Sequence, residues 1–194
     1  MAETSRTPSA PRRRRADARR SVEAIIGSAR SVLAADPEAS VEQIAAAAGV
    51  SRQTVYAHFS SRDVLIGAVI DAARAEGLTA LEDARLDEQP PMDALQEFLD
   101  ISWELAARLP LVLDPDIVTS PGHEVVGTHL EKIIRRGQDT GDFDDALPAP
   151  WLTAAIFGLG HCAGDEVSAR RLSARAARDL LLESVLRLCG ATAP

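Results

Sequence analysis

Apolar residues recur along the chain at the three- and four-residue spacing of amphipathic helices. Between residues 22 and 33 they stand at i, i+3, i+4, i+7, i+10 and i+11, on one face of a helix that Asp36 and Pro37 end. Shorter stripes of the same period follow in residues 41–48 and 55–59, and a longer one runs from Val64 to about Leu86. Runs of alternating β-branched residues are hard to find, so the sequence predicts an all-α protein.

The pattern starts again after Pro90 and Pro91, where a second group of helices is predicted. Its apolar stripes lie in residues 92–109, 125–134, 152–163 and 172–188. Ser120 and Pro121 have the residue types of a helix cap and first helical position, and Pro148 opens the following helix in the same way. With a short segment near residues 114–119, the prediction is about nine helices.

Two short helices near the N-terminus are joined by a turn of three residues. Ser40 opens the first of them as part of a capping box. Gly49 stands where a left-handed backbone closes that helix, and Ser51 can cap the next one. Val55 and Phe59, four residues apart, face inward and leave a polar outer face. A helix packed behind such a pair is the arrangement that projects a recognition helix into the major groove of DNA.

The segment from Ile44 to Leu65 reads IAAAAGVSRQTVYAHFSSRDVL. It resembles the signature of the tetracycline-repressor (TetR) family, in which a glycine-valine-serine turn leads to a threonine, a tyrosine, a histidine-phenylalanine pair, and a basic residue followed by leucine. The resemblance covers about residues 20–66, and a looser one continues through residues 136–152. It implies the family's fold, dimerisation by the last two helices, and release from DNA on ligand binding. Arg62 stands where the family usually has lysine.

Charge is distributed unevenly along the chain. Residues 1–62 carry ten arginines against six acidic residues, a net charge of +4, so residues 63–194 carry −12 of the total of −8. The attraction between basic side chains and DNA phosphates is screened within roughly 8–10 Å at ordinary salt. A basic N-terminal part can therefore approach DNA while the acidic remainder stays away. We therefore expect a flexible basic arm in residues 1–16, a helix-turn-helix domain in residues 17–62, and a linker helix with an effector-binding and dimerisation domain in residues 63–194.

The candidate DNA-contacting residues lie on the second helix of the pair, directly after it, and in the arm. The residues expected to contact base edges are Arg52, Gln53 and Thr54, whose groups match guanine, adenine and thymine. The residues better placed for phosphates are Tyr56, His58 and Arg62, with His58 alternatively a structural cap. Ser51 completes the set on the duplex side. The arm contributes Arg12, Arg13, Arg14 and Arg15, which could follow the backbone or enter a minor groove. For each group the alternative is a solvated polar surface.

Aromatic, histidine and methionine side chains of the C-terminal domain are the candidates for an effector pocket. They are Met92, Phe98, Trp103, His123, His129, Trp151, Phe157 and His161. Small-molecule sites are mainly apolar with a few polar anchors, although aromatic residues at helical spacing are more often plain core. Because this domain is acidic overall, a cationic or neutral hydrophobic ligand is favoured over an anion.

The last two helices carry more apolar surface than a small domain's core needs, which is typical of a partner surface. The candidate interface residues are Leu152, Ala155, Ile156, Leu159, Ala163, Leu180, Leu181, Val185 and Leu188. A two-fold homodimer would present two DNA-binding heads about 34–36 Å apart, or somewhat more, and would require a near-palindromic operator.

Other functions are disfavoured by the sequence. His161, Cys162 and Asp165 include nucleophile and base types, yet neighbours on one helix point about 100° apart and form no working pair, so an enzyme is not expected. The two cysteines lack a CxxC spacing, and no metal site, disulfide framework or cofactor is indicated. With neither a membrane span nor a secretory signal, we expect a cytoplasmic protein.

The sequence thus predicts a DNA-binding transcription regulator, a repressor that a small molecule releases from its operator. In this hypothesis the long fourth helix links the two domains and transmits the ligand's effect to the spacing of the heads. The alternative is a ligand-independent or architectural DNA-binding protein, which the absence of a pocket would favour.

Overall fold

The computed structural model describes the backbone of residues 10–109 and 121–190 and the side chains of residues 17–109 and 125–190. These residues form eight α-helices and no strand, which confirms the all-α prediction. The short segment expected near residues 114–119 lies outside them. None of the helices within those ranges is both long and apolar enough to cross a membrane. The helices are α1 Ala10–Ala35, α2 Val41–Ala47, α3 Arg52–His58, α4 Arg62–Asp83, α5 Pro91–Arg108, α6 Pro121–Thr140, α7 Ala149–Ser168 and α8 Ala174–Leu188.

The chain divides into two compact units, Met1–Val69 and Ile70–Pro194, here called unit 1 and unit 2. The division falls inside α4, whereas the sequence analysis places the domain boundary after residue 62. Helix α4 is continuous across it, so one helix supplies residues to both units.

Unit 1 contains α1, α2, α3 and the first part of α4. The apolar stripe of α1 is buried, with Ile25, Ala29 and Leu33 inaccessible to solvent. Ile44 of α2 and Val55 of α3 are buried as well, as their spacing predicts. Burying side chains of this size stabilises the unit by about 1.5–3 kcal/mol each, so α1 fixes the position of the two short helices.

Local hydrogen bonds set the ends of α2 and α3 as the sequence predicts. The Ser40 hydroxyl accepts from the Gln43 N–H at 3.3 Å, and the Ser40 N–H donates to Gln43 Oε1 at 2.7 Å, so the capping box is complete. Gly49 has a φ of 66°, a left-handed conformation that costs glycine little. The Ser51 hydroxyl accepts from the Thr54 N–H at 3.1 Å and begins α3.

Helix α1 begins earlier than expected. The sequence analysis assigns residues 1–16 to a flexible arm, but α1 starts at Ala10 and includes residues 10–16. Arginine and alanine are both strong helix formers. A run of arginines has no apolar side chains to bury, but it can extend a helix whose later residues are packed in the core.

Unit 2 is a helical bundle in which α7 contacts α6 and α8, and α5 contacts α6 and α8. Its core is formed by the inward stripes of these helices, and Phe98 of α5 is the largest of its fully buried side chains. Fully buried residues in the core include Leu95, Phe98, Leu130, Ile134, Leu152, Ala177 and Val185.

Residues 136–138, part of the looser family resemblance, fasten two loops of unit 2. The Arg136 guanidinium donates to the carbonyl oxygens of Leu86, Asp87 and Gln89 at 2.6–2.8 Å, which holds the connection between α4 and α5. At Gly137 an added Cβ would lie 2.1 Å from Cδ2 of Phe143, so the ring packs directly on the glycine backbone. A structural role is therefore sufficient to explain why Arg136 and Gly137 stand at these positions.

Candidate DNA interface and ligand cavity

The outer face of α3 is open to solvent, as a recognition helix requires. Val55 is 1% exposed and anchors the helix, whereas Arg52, Gln53, Tyr56 and His58 are exposed. Thr54, the third residue expected at base edges, is half-buried. The face thus presents a guanidinium, an amide, a phenol and an imidazole on one short helix, groups that hydrogen-bond to base edges and phosphates.

Arg52 is held by two neighbouring side chains. Its Nη1 lies 2.5 Å from Oε1 of Glu42 on α2, and its guanidinium carbon lies 5.3 Å from the centroid of the Tyr56 ring. The pKa of Arg52 is raised, first by its hydrogen bond with Tyr56 and then by the charge of Glu42. The guanidinium is therefore oriented but partly neutralised. Sequence analysis missed Glu42, because the pair joins two helices across a turn and has no sequence spacing of its own.

Ser51 and Thr54 are engaged with each other at the start of α3. Their hydroxyl oxygens are 2.8 Å apart, in addition to the cap bond from the Thr54 N–H to Ser51. Ser51 therefore has a structural role in addition to any contact with DNA.

Arg62 fastens the loop between α1 and α2. Its Nε donates to the carbonyl of Ala39 at 3.2 Å and its Nη2 to that of Pro37 at 2.6 Å, and the residue is half-buried. The sequence analysis expects a phosphate contact from Arg62, but two of its nitrogens are used inside unit 1. The side chains of Arg12, Arg13, Arg14 and Arg15 lie outside the described residues.

Unit 2 contains a cavity of about 120 Å³ that is partly open to solvent. Helices α4, α5, α6, α7 and α8 all contribute to its wall. The structure brings four of the predicted pocket residues to it, namely Phe98, Trp103, Phe157 and His161. Small-molecule sites are concave and mainly apolar with a few polar groups, and the wall of this cavity has the same character.

The other predicted pocket residues lie elsewhere. Met92 and His129 are half-buried but do not line the cavity, and Trp151 is 64% exposed near the start of α7. His123 lies outside the residues whose side chains are described. Helical periodicity predicts which residues face inward, but it does not predict which of them border a cavity.

Several residues of the cavity wall were missed by sequence analysis, among them Arg74, Gly77, Ser102 and Gly160. Gly77 lets α5 approach closely, since an added Cβ would lie 2.7 Å from Cδ2 of Leu105. An added Cβ at Gly160, in contrast, would meet no atom within 4 Å. No sequence signal singles out Arg74, because Asp71 and Glu76 stand close to it in the same helix.

Residues 25–69 match the family model described as bacterial regulatory proteins, tetR family. This segment is similar to the tetR family. The match spans the buried stripe of α1, the helix-turn-helix of α2 and α3, and the start of α4. It ends at the last residue of unit 1, so the similarity to the family is confined to unit 1.

Solved structures of transcriptional regulators share the fold over most of the chain. LfrR from Mycobacterium smegmatis, solved with proflavine, is 23% identical with a TM-score of 0.67, over 90% of this chain and 99% of that one. A TetR transcription regulator from Haloarcula marismortui is 17% identical with a TM-score of 0.71, over 88% and 96%. FadR from Bacillus subtilis, solved with stearoyl-CoA, is 17% identical with a TM-score of 0.65, over 84% and 96%. Curated proteins gave no match.

Most of the residues expected at a dimer interface are covered by the chain's own core. Leu152, Ile156, Ala163, Leu181 and Val185 are all at most 9% exposed in the single chain and are unavailable to a partner. They supply the core because an inward-facing stripe and a partner-facing stripe have the same helical period.

A different face of α7 is open instead. Trp151, Ala154, Gly158 and Cys162 are exposed at three- and four-residue spacing, and we call these four residues the α7 outer face. Of the predicted interface residues, Ala155, Leu159 and Leu188 are half-buried, and Leu180 on α8 is 49% exposed.

Proposed function

We propose that this protein is a repressor that binds a near-palindromic DNA operator as a homodimer and leaves it when a small molecule enters the cavity of unit 2. The observation that supports DNA binding is the exposed polar face of α3. This helix and α2 both begin at a serine cap, and their apolar side chains are buried in unit 1. Ligand control is supported by the cavity, since an architectural DNA-binding protein has no use for one.

Base contacts are proposed for Arg52 and Gln53, the first two residues of α3 and both exposed. Thr54 contributes through its methyl group, because its hydroxyl is engaged with Ser51. Tyr56 and His58 contact phosphates, which fix the position of the helix in the groove without reading sequence. Residues 12–15 and the remaining nitrogen of Arg62 add phosphate contacts.

Ligand binding reaches the DNA-binding unit through α4 in this proposal. Gly77 and Leu81 of α4 border the cavity, while the buried Leu65 and Val69 of the same helix belong to unit 1. A ligand that favours one arrangement of α4 by about 1–3 kcal/mol changes operator affinity by roughly 5–150-fold.

The homodimer is proposed to form through the α7 outer face together with Leu180 of α8. Small residues at Ala154 and Gly158 allow a second helix to approach closely, and Trp151 supplies a large apolar side chain of the kind enriched at interfaces. In a two-fold arrangement each copy contributes the same face, which gives the near-palindromic operator its symmetry.

Selection of bound duplexes from a random DNA pool tests the proposal. We expect two inverted half-sites, and we expect Gln53→Ala to lower affinity for the consensus by about 1–3 kcal/mol, roughly 5–150-fold. Gln96→Ala on α5 is the matched control and leaves that affinity unchanged, because Gln96 belongs to unit 2. If the purified protein prefers no duplex over random competitor at low ionic strength, the proposed function is wrong.

A further inference from the structure

We propose that the cavity of unit 2 takes an amphipathic organic anion, a single carboxylate, sulfonate or similar group attached to an apolar body. This inference names the class of effector and rests on the proposed function, in which the cavity is a ligand site. It comes from the distribution of polar groups on the cavity wall, which differs from the average charge of the unit.

Most of the wall is apolar and partly aromatic. Phe98 and Trp103 on α5, Ile156 and Phe157 on α7, and Leu181 on α8 all border the space. Hydrocarbon and ring surfaces of this kind bind the apolar part of a ligand through its removal from water. The body of the ligand is therefore expected to be hydrophobic.

The polar groups on the wall favour negative charge. Arg74 on α4, Ser102 on α5 and His161 on α7 all border the cavity. Among the described residues that line it, no side chain is acidic. A guanidinium, an imidazole N–H and a hydroxyl are all hydrogen-bond donors, which is the set that a carboxylate or sulfonate accepts from.

The partial burial of Arg74 also favours a bound anion beside it. Loss of water around its guanidinium lowers the pKa of Arg74, the attraction of Asp71 opposing this in part. Its positive charge is thus less favourable here than in water, and a bound anion compensates for that loss. A cationic ligand would face this charge at the same wall, where like charges repel.

The negative charge inferred for the ligand differs from the cationic or neutral character that the overall acidity of this part of the chain favours. Acidic residues such as Glu104 and Glu131 lie at exposed or half-buried positions and pair with Arg108 and Arg135 on their own helices. Charges on the surface are screened over roughly 8–10 Å, so a ligand inside the cavity responds mainly to the groups that touch it.

Three fluorescent probes separate the alternatives on the full-length protein. The anion 8-anilinonaphthalene-1-sulfonate (ANS) and the neutral N-phenyl-1-naphthylamine share a ring system and differ in the sulfonate, and proflavine is a cation. We expect the anion to bind about tenfold or more tightly than the neutral probe, as a hydrogen bond to a charged group implies. Arg74→Gln should remove about tenfold of the anion's affinity and leave the neutral probe unchanged. Arg108→Gln, on the exposed side of α5, is the matched control.

Binding of the anion must also be shown to occur in the cavity. Gly160→Leu fills the space beside the wall and should abolish the anion's fluorescence enhancement. Equal or tighter binding of the neutral or cationic probe, or an unchanged anion affinity in Arg74→Gln, overturns the inference and leaves the cavity as a ligand site. If none of the three probes binds the wild-type protein, the inference and the ligand part of the proposed function both fail, while operator selection judges DNA binding separately.

Discussion

Filling the cavity from Gly160 is the sharpest single test of the ligand site. Gly160 borders the cavity, and an added Cβ would meet no atom within 4 Å, so Gly160→Leu places four carbon atoms in open space. The same is true of Gly27 in α1, which is exposed and belongs to unit 1. Gly27→Leu is therefore a matched control for ligand binding.

The expected changes in stability and in ligand affinity follow from the surroundings of the two glycines. Both substitutions replace a glycine within an α-helix, which raises helix stability by about 0.5–1 kcal/mol, so neither variant should fail to fold. At Gly160 the four added carbons exclude ligand atoms of similar volume. At about 0.8 kcal/mol for each buried CH₂ group, the loss is about 3 kcal/mol, or roughly 200-fold in affinity.

Fluorescence titration with ANS measures this loss, and differential scanning calorimetry confirms that the variants are folded. We expect Gly160→Leu to bind the probe roughly 200-fold more weakly, and Gly27→Leu to bind it like the wild type. A Gly160→Leu protein that is folded and keeps the wild-type affinity would refute the assignment of the cavity as the ligand site.

Three further predictions concern the DNA-binding unit and the dimer. Glu42→Gln removes the carboxylate that holds Arg52, so its guanidinium is freer to bind a base edge, and titration with the consensus duplex should show affinity higher by about 1 kcal/mol, roughly fivefold; an unchanged affinity contradicts a base contact by Arg52. Arg62→Lys cannot keep both carbonyl hydrogen bonds of the planar guanidinium, so calorimetry should show a loss of about 1 kcal/mol, and an unaltered Tm would show that the fastening is dispensable. Gly158→Arg places a charge on the α7 outer face, and sedimentation should show monomers at micromolar concentration; a retained dimer would place the interface elsewhere.

Local sequence determined the helices and the helix-turn-helix. The capping box at Ser40, the left-handed turn at Gly49, the cap at Ser51 and the inward position of Val55 all appear as predicted. Each of these features depends on residues within about four positions of one another, so backbone hydrogen bonding and helical period suffice to specify it.

Tertiary structure decided which apolar and charged residues meet. Arg62 binds carbonyls 23 and 25 residues earlier in the chain, and Arg74 reaches the cavity wall only because five helices surround the space. Leu152 and Ile156 are core residues although their stripe has the period of an interface. A helical stripe specifies that a face must be covered, but which neighbour covers it, and where a space stays open, depends on how all the helices pack together.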